Sequence, residues 1–181
     1  MAREKTKMEI SKAPPHLNQR LLAVEVRPQR IGFAVFEGPD RLLDWGVRDA
    51  SENVRPPELI GKKIGILMDL YLPSATVVRQ RRVRSARLCR RIETATRVIR
   101  REARQRAIKF HTLASQVVQR SFANSATKHE IASRLVERFP ELSWKLPTKR
   151  KVWKSEDYGM VIFDAAAAGL AFFGQPPASV K

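Results

Sequence analysis

Apolar positions along this chain follow two rhythms. Leu21-Leu22-Ala23-Val24-Glu25-Val26 is an almost unbroken apolar run, the pattern of a strand covered on both faces. Arg27-Pro28-Gln29-Arg30 interrupts it as a turn, and residues 31–36 form a second strand. Glu37-Gly38-Pro39-Asp40 makes another turn before a third strand at 41–47. Links this short predict an antiparallel meander. A helical rhythm then takes over. Pro56-Pro57 opens a helix reaching about Tyr71, with Leu59, Ile60, Ile64, Leu67 and Met68 on one side.

The second half alternates. Residues 75–79 read as a fourth strand and 86–107 as a long helix. On that helix Leu88, Ile92, Ala95, Ile99 and Ala103 make a stripe fit to dock on a sheet. Residues 108–113 read as a fifth strand. A helix follows at 127–139, where Thr127 and Glu130 have capping-box spacing. Residues 144–154 read as a basic loop, and a last helix runs to Phe173 from either Ser155 or Met160. Three meander strands followed by strand–helix–strand–helix predict an α/β domain on a mixed five-stranded sheet, three strands antiparallel and then two parallel. The domain spans 20–173, between a flexible basic tail at 1–19 and a second tail at 174–181.

Charge narrows the function. With 35 Lys and Arg against 18 Asp and Glu, the net charge is +17. A domain this basic meets a polyanion, nucleic acid first, with an anionic membrane surface or a ribosomal site as other options. A single cysteine, Cys89, leaves no internal disulfide and no Cys-based zinc site. No apolar stretch approaches ~18 residues, and the N-terminus has no secretory pattern, so the expected setting is cytoplasmic, without a membrane partner.

The cations cluster. Residues 79–109 hold thirteen Arg or Lys and two Glu. Arg90, Arg97, Arg101 and Arg104 lie opposite the apolar stripe of the long helix. A run of like charges repels itself unless a polyanion crosses it. Arg81, Arg82, Arg84 and Arg87 precede it as a backbone-gripping segment. Lys145, Lys149, Arg150, Lys151 and Lys154 form a second cluster, interleaved with Trp144 and Trp153. Those tryptophans suit either stacking on unpaired bases or anchoring the loop to the core. Lys128, at a helix start where the dipole disfavours a cation, is a further candidate for phosphate.

Two carboxylates stand in apolar runs: Glu25 in the first strand and Asp164 in Met160-Val161-Ile162-Phe163-Asp164-Ala165. A lone buried charge needs a partner. Glu25 could pair with an arginine such as Arg79, and Asp164 could cap a helix. Glu156, Asp157, Glu93 and Glu102 read more simply as helix-terminal or locally paired acids.

Four ordered stretches resemble RuvC resolvases and their YqgF-type relatives, within the RNase H-like superfamily. They are the opening Ala23-Val24-Glu25-Val26 through Gly32-Phe33-Ala34-Val35; Ala75-Thr76-Val77-Val78-Arg79-Gln80; Ser115-Gln116-Val117-Val118-Gln119 through Ser125-Ala126-Thr127-Lys128; and Phe163-Asp164-Ala165-Ala166-Ala167-Ala168-Gly169-Leu170-Ala171. The resemblance implies an RNase H-like fold and a Mg²⁺-dependent, structure-selective endonuclease acting on branched DNA, in preference to RNA. Glu25 and Asp164 would then be catalytic, metal-holding carboxylates. Such resolvases work as dimers, so a homodimer is implied, although the sequence has no dimer stripe of its own. The departures are specific: Glu25 stands where the family has Asp, Arg79 where it has Glu, and Ala167 where it has its last Asp. They define the alternative, a degraded scaffold that binds nucleic acid, ribosomal or other RNA included, without cutting it. In that case Arg79 sits within ion-pair reach of Glu25 or Asp164, which face each other at the end of the central strand.

Overall fold

A computed structural model describes residues 19–49, 56–81, 83–122, 127–149 and 157–174. The expected tails therefore lie outside the described residues, apart from Gln19 and Gly174. Five strands form one sheet: β1 (Arg20–Val26), β2 (Arg30–Glu37), β3 (Leu42–Asp49), β4 (Ala75–Gln80) and β5 (Lys109–Ala114), in the order β3-β2-β1-β4-β5. β1–β2 and β2–β3 are antiparallel, while β1–β4 and β4–β5 are parallel. This is the mixed sheet that the meander and crossover pattern predicts.

The sheet is covered on both faces. On one side lie α1 (Pro56–Tyr71) and α2 (Ala86–Gln105), packed on Leu22, Val24, Val26, Ile31, Phe33 and Val35. On the other lies α5 (Met160–Phe173), flanked by α3 (Ser115–Ser121) and α4 (Lys128–Arg138), over Leu21, Ala23, Ala34, Phe36 and Val77. Successive strand residues point to opposite faces. Alternation from Ala23 therefore sends Glu25 to the α5 side, and alternation from Val77 sends Arg79 the same way. The position of the charged site is thus set by a period of two.

α2 follows its stripe, with Ile92, Ala95, Ile99 and Ala103 buried. It ends two residues earlier than periodicity suggests. Ala107 turns left-handed at φ 55° and Ile108 N–H returns to the Ala103 carbonyl at 2.9 Å. The capping box of α4 is formed, Thr127 Oγ1 accepting from Glu130 N–H at 3.3 Å and Glu130 Oε2 from Thr127 N–H at 2.7 Å. Two features depart from the sequence reading. α3 is too short for a visible period and is fixed instead by its first residue, whose Ser115 hydroxyl donates to the Gln80 carbonyl at 2.7 Å. The expected basic loop begins inside a 3₁₀ turn, Pro140–Lys145. No helix among the described residues is long and apolar enough to cross a membrane.

α5 starts at Met160, resolving the two expected starts, and approaches the sheet closely because Gly32 has no side chain. A Cβ there would lie 2.2 Å from the Val161 carbonyl oxygen. Gly32 is paired across β1–β2 with Glu25, so this notch seats α5 directly above the strand position that carries the carboxylate. Gly32→Ala should destabilise the protein. Freezing the unfolded chain gains ~0.4–1 kcal/mol, and the backbone clash costs about 1–3 kcal/mol. The check is a lowered urea midpoint at unchanged slope.

Candidate nucleic-acid interface and its buried charge cluster

At the C-terminal ends of β1 and β4, side chains from four elements and a turn meet beneath α5. Asp164, the fifth residue of α5, is its centre. Arg79 Nη1 lies 2.6 Å from Asp164 Oδ1. Asp164 Oδ2 takes Lys128 Nζ from the start of α4 at 3.0 Å and also a short contact from Arg27 Nη2. Arg27 bridges the two carboxylates, with its Nε 3.2 Å from Glu25 Oε1. Arg81 Nη1 stands 3.9 Å from the same oxygen. Glu25, Arg27, Arg79 and Asp164 are all buried, at 0%, 9%, 9% and 5% exposure, which makes this an interior ion cluster.

The local partners meet one expectation, an ion pair from Arg79 to one of the two acids, and depart from another. Glu25 pairs with Arg27 and Arg81, while Arg79 pairs with Asp164. Asp164 is not a cap, since the helix begins at Gly159 and Asp164 lies a full turn inside it. The sequence reading assigned Arg27 only to a turn. The signal was available: Arg27 is two residues past Glu25, and residues two apart on an extended chain share a face.

The two carboxylates titrate in opposite directions. Burial raises Glu25 to about 7, the charge of Asp164 adds to the rise, and Arg79, Arg27 and Arg81 oppose it. Neither Glu25 oxygen accepts a hydrogen bond among the described residues, so little holds it ionised except through-space charge. Burial also pushes Asp164 up, but Lys128, Arg79 and Arg27 outweigh it and hold the carboxyl below its ordinary value.

These residues do not fit a Mg²⁺ pair. Such ions need several hard oxygen ligands, and catalytic pairs gather carboxylates from several elements. Here both oxygens of Asp164 are engaged by protein cations. No group of three His, Cys, Asp or Glu suited to a metal occurs among the described residues. Asp157 is exposed, its Oδ1 accepting from Gly159 N–H at 2.7 Å, and Glu102 pairs with Arg101 and Arg106. Glu156 lies outside the described residues. His111 packs on the Phe172 ring, centroids 4.9 Å apart.

Beside the cluster, a cleft of about 720 Å³ runs between α2 and the ends of β4 and β5. Arg79, Arg81, Arg97, Arg100 and Lys128 line it, with Glu93 as its one acid among the described residues. Arg84, Arg87, Arg90, Arg97, Arg101 and Arg104 are all exposed. Arg101 makes a surface pair with Glu102 at 3.3 Å. Arg106 is held apart from this face by Asp69, at 2.6 and 2.9 Å, in a fork that ties α2 to α1. Lys149 is exposed, while Arg82, Arg150, Lys151, Trp153 and Lys154 lie outside the described residues.

This sheet order, with helices on both faces, is an RNase H-like fold, and solved structures share it. Thermus thermophilus RuvC in complex with a Holliday junction substrate has a TM-score of 0.66 and 16% identity to this chain, covering 86% of it and 93% of that chain. Thermus thermophilus RuvC also matches at 0.66 and 16%, over 85% and 93%. The yeast mitochondrial Holliday junction resolvase Ydc2 matches at 0.66 and 14%, over 89% and 80%. At these identities the likeness is one of fold. No protein-family model and no curated protein sequence matches this chain.

The Glu25 shift has a measurable consequence. A carboxyl raised from 4.5 to about 7 contributes full stability below pH 4.5 and loses it as pH rises to about 7. Stability relative to Glu25→Gln should therefore fall across that window by up to about 1.4 kcal/mol per pH unit, then level off. Asp164 acts below its ordinary 3.8, outside the window. His111, lowered from 6.5, acts in the opposite sense and cancels between the two proteins. Urea unfolding of both proteins at several pH values reads this out. Parallel curves would refute the shift.

Proposed function

We propose that this protein binds nucleic acid, DNA in preference to RNA, on a RuvC-like scaffold whose carboxylate pair is neutralised by its own cations instead of a Mg²⁺ pair. The observation carrying the proposal is Asp164, with Arg79 on one oxygen and Arg27 and Lys128 on the other. A guanidinium stabilises a buried carboxylate but cannot generate a hydroxide from bound water or clamp the attacking and leaving oxygens as a metal pair does. The basic cleft and the exposed arginines of α2 supply the phosphate contacts. The matching Thermus structure, in complex with a Holliday junction, supports a branched DNA as the ligand.

The second reading is a Mg²⁺-dependent endonuclease with Glu25 and Asp164 as metal ligands. What favours it is that both Glu25 oxygens lack hydrogen-bond donors among the described residues. Robust Mg²⁺-dependent cutting of a four-way DNA junction, abolished by Asp164→Asn, would establish that reading and overturn ours. We expect junction binding in EDTA as tight as in Mg²⁺, and no products.

Binding should follow phosphate neutralisation. Each arginine–phosphate contact adds about 0.9 to the slope of log affinity against log salt. Replacing Arg90, Arg97, Arg101 and Arg104 with Gln should lower that slope by up to about 3.6 while leaving the melting temperature within a few degrees, since all four are exposed. An unchanged slope across a salt titration would remove α2 from the interface.

A further inference from the structure

On the far side of the charge cluster from the arginine cleft lies a second cleft, of about 670 Å³, whose lining is aromatic. Its walls are Trp45 and Val47 of β3, Trp144 and Lys145 at the end of the 3₁₀ turn, and Asp157 and Tyr158 before α5. Trp144 is 70% exposed and Tyr158 48%. The sequence left open whether Trp144 anchors its loop to the core. With most of its surface in water, it does not. Buried stacking area is the usual reason to place an indole, so an exposed one lining a cleft points to a ligand that stacks.

We propose that this cleft takes an unpaired nucleobase of the bound nucleic acid; the proposal rests on the nucleic-acid reading above. Three observations carry it. First, Tyr158 is held in place before any ligand arrives. Arg30 lies over the Tyr158 ring at 4.5 Å, and the Tyr158 hydroxyl donates to Asp49. Second, the charges are arranged for a base with its backbone outside. Lys145 Nζ lies over one face of the Trp144 ring, 4.2 Å from its centroid, so a base stacked on the other face has a cation beside it for its phosphate, and exposed Lys149 follows four residues on. The acid lining the cleft, Asp157, repels a phosphate but can accept hydrogen bonds from base amino or imino groups. A purely phosphate-binding pocket would not include it.

The third observation is position. Val47 pairs with Gly32 across β2–β3, and Gly32 pairs with Glu25 across β1–β2. The aromatic cleft therefore lies level with the charge cluster, two interstrand spacings or roughly 10 Å along the sheet. The arginine cleft opens on the opposite side, at the ends of β4 and β5. One strand of a branched or partly unpaired ligand can lie on the arginines, pass the cluster and leave a base between Trp144 and Tyr158. A continuous duplex offers no such base without unstacking. The substrate class is therefore nucleic acid with unpaired nucleotides beside a duplex, which stacking recognises without regard to sequence.

The test uses the full chain, a blunt DNA duplex, the same duplex with a single-stranded tail, and that tailed duplex with abasic tail nucleotides. Base stacking on an aromatic is worth about 1–3 kcal/mol, or roughly five- to a hundredfold in affinity. We expect Trp144→Ala to weaken binding of the tailed duplex at least about fivefold, while blunt and abasic-tailed duplexes change less than about twofold. Trp144→Phe should restore most of the loss. The abasic tail should cost the unmodified protein about what Trp144→Ala costs on the intact tail. Equal effects of Trp144→Ala on all three probes, or none on any, would overturn the base-binding role and leave the nucleic-acid reading standing. Failure of the unmodified protein to bind any probe at low salt would instead defeat the nucleic-acid reading itself. Trp144 is exposed, so the variant should melt with the parent.

Discussion

Everything at the centre of this molecule is arranged around one carboxylate almost cut off from water. Asp164 is 5% exposed on a helix of Ala, Gly and large apolar residues. An isolated charge in that setting would cost several kcal/mol and would be lost to protonation or unfolding. It persists because Arg79, Arg27 and Lys128 converge on it from β4, the β1–β2 turn and α4. That convergence in turn requires α5 to lie close on the sheet. Gly32 allows it at one end of the helix. Gly169 allows it at the other, where a Cβ would lie 2.3 Å from the Phe36 ring. The small-residue helix, the glycine notches and the arginines are therefore parts of one constraint. Loosening the helix would strand the cations as surely as removing the acid.

Much of the architecture could be read from residue order because strands and helices carry different periods. The strands of the sheet and the apolar face of α2 follow from alternation and 3.6-residue spacing, with errors of a residue or two at the ends. α3 was hidden because about two turns, with Val117 and Val118 adjacent, show neither period. The site was legible only in part. Glu25 and Asp164 stood out as charges in apolar surroundings, which is a local property. Their partners were not, because pairing depends on which strand ends meet. The sequence could place Arg79 near both acids but could not choose between them. Arg27 sits in a turn of polar residues, and only its two-residue spacing from Glu25 marked it out. The tryptophans show the same limit: Trp45 is half-buried against the core and Trp144 is open to solvent, yet both sit in similarly mixed sequence.

The cluster also bears on how the surface works. Four cations, Arg27, Arg79, Arg81 and Lys128, surround two carboxylates, so the group is net positive even with both acids ionised. Partial protonation of Glu25 near neutral pH makes it more so. Arg79, Arg81 and Lys128 line the arginine cleft as well, which means the buried cluster and the binding surface share side chains. A bound metal would supply comparable charge only at sufficient metal concentration and with its ligands in register. Guanidinium groups fixed by packing supply it permanently. The field facing a phosphate is then a property of folding itself, and it is focused by the low-dielectric walls around it.

That permanence has a structural cost, which explains the layout. Fixed like charges repel, and of the thirteen cations between residues 79 and 109 the seven arginines within α2 would destabilise that helix in isolation. The fold distributes them. Arg106 is tied to Asp69 and Glu102 at the α1 seam, and Arg79 is spent on Asp164 in the interior. Arg100 covers the Phe110 ring at 5.0 Å, Arg81 faces Glu25, and Arg84, Arg87, Arg90, Arg91, Arg97, Arg101 and Arg104 are exposed. Only the last group depends on an external polyanion for compensation. The cations that hold the structure together and those that face solvent are therefore separable within this one stretch of chain. Neutralising the solvent-facing group removes repulsion without removing a packing contact, whereas neutralising Arg79 strands a buried carboxylate. A surface under this constraint can lose its solvent-facing cations in many small steps without losing the fold, but a carboxylate at position 79 would first require rebuilding what Asp164 rests on.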